Sequence, residues 1–382
     1  CSNRSRRERS GRMIFNSYAF LAFFPIVTLA YYLMPMRARR PWLLAASYYF
    51  YMCWNAQYAL LIAASTLVTY LCALALGRIE AKAGRRAVLA LGLAINLGIL
   101  CFFKYFGFFT DTFARIAARL GVRMAIPAFD VLLPVGISFY TFQIISYYVD
   151  VYRGEVAAEH NFVDFVAYVT MFPQLIAGPI VRFQSVQAEL KHREITWEKN
   201  GDGAARFVCG LCKKVLIADS LATFVQTLQN ISETAAKAES AVTAGIRAEG
   251  AGIGTLGYWV LALAFMLQLY YDFSGYSDMA IGLGKILGFT FPENFRYPFI
   301  SKSISEFWRR WHMTLGGWFR DYLYIPLGGN RVSVLRWCFN MFVVWLLSGL
   351  WHGAGWNFAL IGSAVYSMVF SLRTTVTMAL SV

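Results

Sequence analysis

The sequence predicts an all-α, polytopic membrane protein, and three observations lead there. Hydrophobic residues make up 58% of the 382 and charged residues only 15%, against roughly 25% charged in soluble domains. Apolar runs approaching the roughly twenty residues that a spanning helix needs recur along the chain. Some of these runs are broken by proline and glycine, which membrane depth tolerates only where protein or a water-filled cavity surrounds the backbone.

The formal charge of +14 fits cytoplasmic loops beside anionic lipid, so the partner it implies is membrane lipid and not nucleic acid. The cysteines give no disulfide framework: Cys53, Cys72, Cys101 and Cys338 lie inside apolar runs, where cysteine behaves as a small hydrophobe. Cys209 and Cys212 form a lone CxxC without a second pair or a nearby histidine, so neither a zinc nor a redox site is expected.

Taken in order, residues 1–12 carry Arg4, Arg6, Arg7, Arg9 and Arg12 against Glu8. They read as a non-native or disordered basic extension, and residues 13–382 as a single integral-membrane domain. Spans are expected at 15–33, 58–76 and 87–109, with a shorter one at 42–54. Arg37, Arg39 and Arg40 follow the first run, and Arg78, Lys82, Arg85 and Arg86 follow the third. Two crossings apart, both clusters fall on one side, the cytoplasm by the positive-inside rule.

Arg115, Arg119 and Arg123 recur every four residues, which puts them on one face of a helix and predicts a separate interfacial helix. Residues 129–151 cross back. The run 162–180 contains Pro173 and the pair Gly178-Pro179 between two basic loops, so it is expected to re-enter without crossing.

Residues 207–225 then go outward, 226–254 form an external loop, and 256–271 return. Gly252, Gly254 and Gly257 spell GxGxxG, but no strand precedes them, so they read as linker. Asp272 and Asp278 enter an apolar stretch; they could bind a cation or, as favoured here, cap a broken helix. The chain closes on an apolar stretch with almost no polar tail, the pattern of a domain continuing into further spans.

Chemistry concentrates in residues 292–358. His312 follows Arg309, Arg310 and Trp311, and His352 stands in 337–370, a run without Asp, Glu, Lys or Arg. Ionisable groups at membrane depth are costly enough to be functional by default. A buried imidazole stays neutral, because burial disfavours the charged form, and can take the proton of an attacking hydroxyl. It can equally serve a transporter as a relay residue, or rest as an interfacial histidine on a backbone carbonyl. No GxSxG or HExxH occurs, so direct transfer between donor and acceptor is the simplest acyl chemistry. Arg309, Arg310 and Arg320 suit bidentate phosphate contacts or interfacial anchoring. Asp321 is placed either to orient His312 or to pair with Arg320.

QLIAGPIVRF at 174–183, YYDFSGYSDMAIGLGKILGF at 270–289, NFRYPFISKSISEFWRRWHMTLGGWFRDYLYIPLGGNR and GLWHGAGWNF resemble the membrane-bound O-acyltransferase (MBOAT) superfamily. Within it the alginate O-acetyltransferase branch is the most similar. That resemblance implies a ring of tilted transmembrane helices with re-entrant segments around a central tunnel. It makes His352 the essential histidine and His312 the second histidine of the branch. It further implies acetyl-CoA as donor substrate, with no bound cofactor or metal, and an exported polysaccharide such as alginate as acceptor. A periplasmic acetyltransferase partner and a bacterial inner-membrane location go with it. The alternatives are acyl transfer to peptidoglycan or teichoic acid, and a transporter or acyl channel without chemistry of its own.

Overall fold

The computed structural model describes residues 13–122, 133–243 and 253–360, and every regular element among them is helical. Four of these helices are long and apolar enough to cross a membrane: α3 (Ala56–Arg78), α4 (Lys82–Arg119), α11 (Thr255–Ile286) and α14 (Val334–His352). α3, α4 and α11 coincide with expected spans, whereas α14 falls in the apolar stretch that holds His352, which is not among them. α1 (Tyr18–Leu33) is equally apolar but only 16 residues long, and α2 (Met36–Met52) and α5 (Ile137–Arg153) have 17 each. The basic extension at 1–12, Arg123, Gly252 and the apolar stretch beyond 360 lie outside the described residues.

The chain divides into two compact units, and the described part of the first comprises 31–122, 133–192 and 292–360. Here α3, α4 and α5 pack together. The Asn55 side chain starts α3 by accepting the Gln57 N–H, and inside the packing Asn96 bonds Ser65, Thr69 and the Gly92 carbonyl. α4 corrects one expectation: it runs unbroken through Arg115 to Arg119, so no separate interfacial helix exists there. Nothing between Lys82 and Arg119 breaks a helix, and 38 residues at 1.5 Å each make about 57 Å, well beyond a hydrocarbon core of about 30 Å.

The broken segment is where the prolines and glycines place it. α6 (Phe162–Thr170) stops at Met171, α7 (Phe172–Leu175) is one short turn, and the chain then runs irregularly to α8 (Phe183–Lys191). Nearly all of it is buried. Arg40 ties its start to α2 through an ion pair of 2.7 Å with the buried Asp164. The unit is completed by α12 (Ile304–Arg310), α13 (Met313–Phe319), a π-helical turn Arg320–Tyr324 and α14.

The second unit comprises Met13–Ala30 and Arg193–Phe291. It holds α9 (Trp197–Cys212), a π-helical stretch Lys213–Ala218, α10 (Asp219–Thr243) and α11. Two expectations fail here. Residues 226–243 are not loop but the continuation of α10, and the proposed outward span 207–225 is divided among α9, the π stretch and α10. Nor do Asp272 and Asp278 cap a broken helix. α11 is continuous through both, and they pair with Lys214 at 2.6 Å and with Arg206 at 2.8 Å and Lys213. Cys209 and Cys212 are free thiols, both exposed.

α9 and α11 approach each other through glycines. Gly203 and Gly210 lie two turns apart on α9, and Gly275 and Gly282 two turns apart on α11, so each pair shares a helix face. A Cβ on Gly282 would stand 2.6 Å from the Gly203 carbonyl oxygen, and one on Gly210 would stand 2.6 Å from that of Gly275. Small residues at such positions let membrane helices meet backbone to backbone. Gly282→Val and Gly210→Leu should therefore each lower the melting temperature of the detergent-solubilised protein, by overpacking worth about 1–3 kcal/mol or more. Gly201→Ala, on the same α9 with open space around its Cα, should leave stability unchanged or raise it by up to about 1 kcal/mol. A Gly282→Val protein melting with the parent would refute the close approach.

Candidate active site

The site lies within the first unit, where the end of α14 meets the α12–α13 corner. Helix ends leave four carbonyls without intrahelical partners. α14 ends at His352, so its terminal set begins at Gly349, and the carbonyls of Gly349, Leu350 and Trp351 each have a partner. The His352 Nδ1 lies 2.7 Å from the Ser348 oxygen, and the Gly353 N–H donates to Gly349 at 3.4 Å. The Tyr105 hydroxyl donates to Leu350 at 2.8 Å, and the Lys104 ammonium donates to Trp351.

A carbonyl only accepts hydrogen bonds, so the Ser348 contact puts the proton of a neutral His352 on Nδ1 and the lone pair on Nε2. This is the backbone-carbonyl contact of a resting histidine, but it occupies one ring nitrogen only. The His352 side chain is exposed, not enclosed as its apolar sequence context suggests, because it ends its helix just before Gly353 turns the chain into an extended conformation.

His312 is the enclosed imidazole, 3% exposed. Its backbone sits in the left-handed region at φ 44° and ψ 53°, a conformation that costs a non-glycine residue about 1–2 kcal/mol. It is held there from both sides: Arg296 N–H donates to the Arg310 carbonyl and Met313 N–H to the Asn294 carbonyl, each at 2.9 Å. The Asn294 Oδ1 accepts from the Thr314 hydroxyl at 2.9 Å and lies 3.0 Å from His312 Nδ1. That oxygen can only accept, so His312 also carries its proton on Nδ1. The Thr314 hydroxyl in turn accepts the Ile180 N–H at 3.1 Å, which links the broken segment to the imidazole. Burial, with a smaller contribution from His352, pulls the His312 pKa down to about 3.

Trp351 joins the two histidines. Its ring centroid is 5.8 Å from that of His312 and 5.0 Å from that of His352. It belongs to a core with Phe142, Ile145, Ile180, Leu315, Trp318 and Phe319, in which Phe142 and Trp318 stack at 3.8 Å. The structure thus brings the two sequence-predicted histidines to one tryptophan.

The arginines fare differently. Arg310 is tied to Glu306 at 2.8 Å and donates to the Arg296 carbonyl, while Arg309 is exposed. Arg320 pairs with Asp321 at 2.7 Å, and Arg182 meets the same carboxylate at 2.7 Å. Burial by itself would raise the Asp321 pKa, but hydrogen bonds from Arg320 and Arg182 outweigh it and hold the pKa below the usual value. Of the two roles open to Asp321, the ion pair is therefore the one present, and Asn294 orients His312 instead. Sequence reasoning missed Asn294, Thr314 and Lys104. A signal existed for the last: Lys104 is the one charged residue in the run 87–109.

Asn294→Leu should leave the buried His312 N–H without its acceptor and cost about 1–3 kcal/mol, read as a lower melting temperature; an unchanged one would remove Asn294 from this role. The low His312 pKa has a pH consequence. Between about 6.5, the usual histidine value, and 3, the unfolded chain binds more protons than the native one, so His312 makes stability fall as pH falls through that window. Melting curves from pH 7.5 to 4.5 should show this fall diminished in His312→Asn, and an identical slope would place His312 in water.

Residues 155–381 match the MBOAT, membrane-bound O-acyltransferase family. The "Probable alginate O-acetylase AlgI" of Azotobacter vinelandii is 44% identical over 354 residues, which cover 92% of this chain and 67% of that protein. Its namesake in Pseudomonas aeruginosa is 44% identical over 357 residues, covering 92% and 64%. The peptidoglycan O-acetyltransferase of Helicobacter pylori is 35% identical over 383 residues, covering 92% and 68%. The chain spans about two thirds of the length of these curated relatives. A helical membrane protein whose two histidine motifs meet at one tryptophan, and whose sequence matches in this way, belongs to the membrane-bound O-acyltransferase family.

Proposed function

We propose that this protein is a membrane O-acyltransferase that moves an acetyl group from acetyl-CoA on the cytoplasmic side toward an exported polysaccharide such as alginate. Delivery is direct or through a periplasmic partner protein, and the site of action is the bacterial inner membrane. The observation that carries the reading is His352: an accessible imidazole whose Nδ1 is engaged by the Ser348 carbonyl, leaving Nε2 as the basic nitrogen.

In the reaction, Nε2 takes the proton of an acceptor hydroxyl as its oxygen attacks the thioester carbonyl carbon. The tetrahedral adduct collapses, the C–S bond breaks, and the departing thiolate recovers the proton from the imidazolium. The acetyl group is then an ester on the acceptor and His352 is neutral again. His312, buried and fixed by Asn294, holds Trp351 and through it the face on which the reactants meet.

Arg309, Arg310 and Arg320 are the cations assigned to the donor phosphates. Of these, Arg309 needs no rearrangement of the ion pairs at Glu306 and Asp321. Alginate is favoured over peptidoglycan because the alginate-named relatives are 44% identical and the peptidoglycan-named one 35%. The transporter reading loses its support in the second unit, since Asp272 and Asp278 sit ion-paired in an unbroken helix.

Membranes containing the protein and its partners, given labelled acetyl-CoA on the cytoplasmic side, should place label covalently on an external acceptor. His352→Gln cannot accept a proton at that position and should lower the rate by roughly 10²–10⁴-fold. His192→Ala, in a surface loop, should be near normal. Passage of intact donor without transfer would support a transporter, and near-parental acetylation by His352→Gln would withdraw the general-base assignment.

A further inference from the structure

The α4 helix contributes a charge that the acyl-transfer scheme does not use. Between 87 and 109 Lys104 is the only charged side chain, and charges within spanning helices are kept where they do something. Long lysine side chains near the ends of such helices ordinarily reach toward water. This one turns inward: its ammonium donates to the Trp351 carbonyl and to the Ser138 hydroxyl at 2.9 Å, and lies 5.5 Å from the centroid of the Trp351 ring. The next residue, Tyr105, holds the preceding carbonyl, that of Leu350.

We propose that Lys104 is a positioning residue for His352: seated on the last carbonyl before that histidine, it fixes the helix end from which the imidazole is presented. The inference rests on His352 as the reacting group. A cation at a helix C-terminus meets the partial negative charge of the terminal carbonyls, so the contact is favourable where it stands. Trp351 directly precedes His352 and its ring stands 5.0 Å from that imidazole, so displacement of its carbonyl shifts the helix end that presents the ring. Filling space would not require an ammonium, since a methionine has nearly the same length and shape. Misplacement of a reacting group by about 1 Å can cost on the order of 10²-fold in rate.

The test compares Lys104→Met and Lys104→Arg with the parent in the labelled acetyl-CoA assay, measuring kcat, the KM for donor and the amount of folded protein in the membrane. Lys104→Met should lose about 10- to 100-fold in kcat with KM within about twofold of the parent. Lys104→Arg, which keeps cationic donors, should recover most of that loss. Tyr105→Phe, which releases only the Leu350 carbonyl, should show a smaller fall in the same parameter.

Parental kcat in Lys104→Met would overturn the proposal, as would a defect confined to KM or an arginine variant no better than methionine. Failure of Lys104→Met to accumulate would make Lys104 a folding residue and overturn it equally. Parental activity in His352→Gln together with a loss in Lys104→Met would place the fault in the His352 assignment. A dead His352→Gln beside a parental Lys104→Met would place it in this inference.

Discussion

The carbonyl groups that end α14 set the constraint on which the site depends. Membrane interiors supply no water to satisfy a helix end, so the terminal carbonyls of Gly349, Leu350 and Trp351 are met by partners within the protein. Gly353, Tyr105 and Lys104 supply them, and the His352 ring adds a contact to the Ser348 carbonyl one residue earlier. The Ser348 contact decides which nitrogen of His352 is basic, and the contacts of Gly353, Tyr105 and Lys104 fix the helix end that carries its ring.

The two histidines are made unlike by their surroundings. His312 is buried, carries an unfavourable φ of 44°, and donates its Nδ1–H to the Asn294 Oδ1. Strain of that kind persists only where neighbouring structure over-determines it, and the backbone bonds from Arg296 and Met313 supply the restraint. His352 is open and restrained through one nitrogen. An enclosed, non-titrating imidazole suits positioning, and an accessible one suits proton transfer.

Much of this was legible in the sequence. Three of the four spanning helices and the broken segment around Pro173 and Gly178-Pro179 follow from hydropathy and from proline chemistry, and the cost of an ionisable group in an apolar run singles out His352 as a candidate. What escaped was long-range. Asp272 and Asp278 resemble caps because they interrupt an apolar stretch, while their partners Arg206, Lys213 and Lys214 lie far upstream. The glycines of α9 and α11 acquire meaning only once the two helices are known to face each other. Arg115 and Arg119 suggested a separate helix because arginines recur there every four residues, but a charged face does not end the helix before it; proline or a cap does. Lys104 was visible yet unread, since one lysine scarcely lowers the hydropathy of its run, and its partner lies near residue 351.

Both imidazoles are held with the proton on Nδ1 by acceptor oxygens, so that Nε2 of the accessible one is the basic site. Nitrogen-15 NMR of the histidine-labelled protein in lipid nanodiscs at about pH 8 reads this directly, because protonated and lone-pair ring nitrogens have well-separated shifts. Signals would be assigned by single substitution of the four histidines. The Nδ1–H form is expected for both His312 and His352, with the Asn294→Leu substitution disturbing the first alone. A His352 found in the Nε2–H form would contradict it.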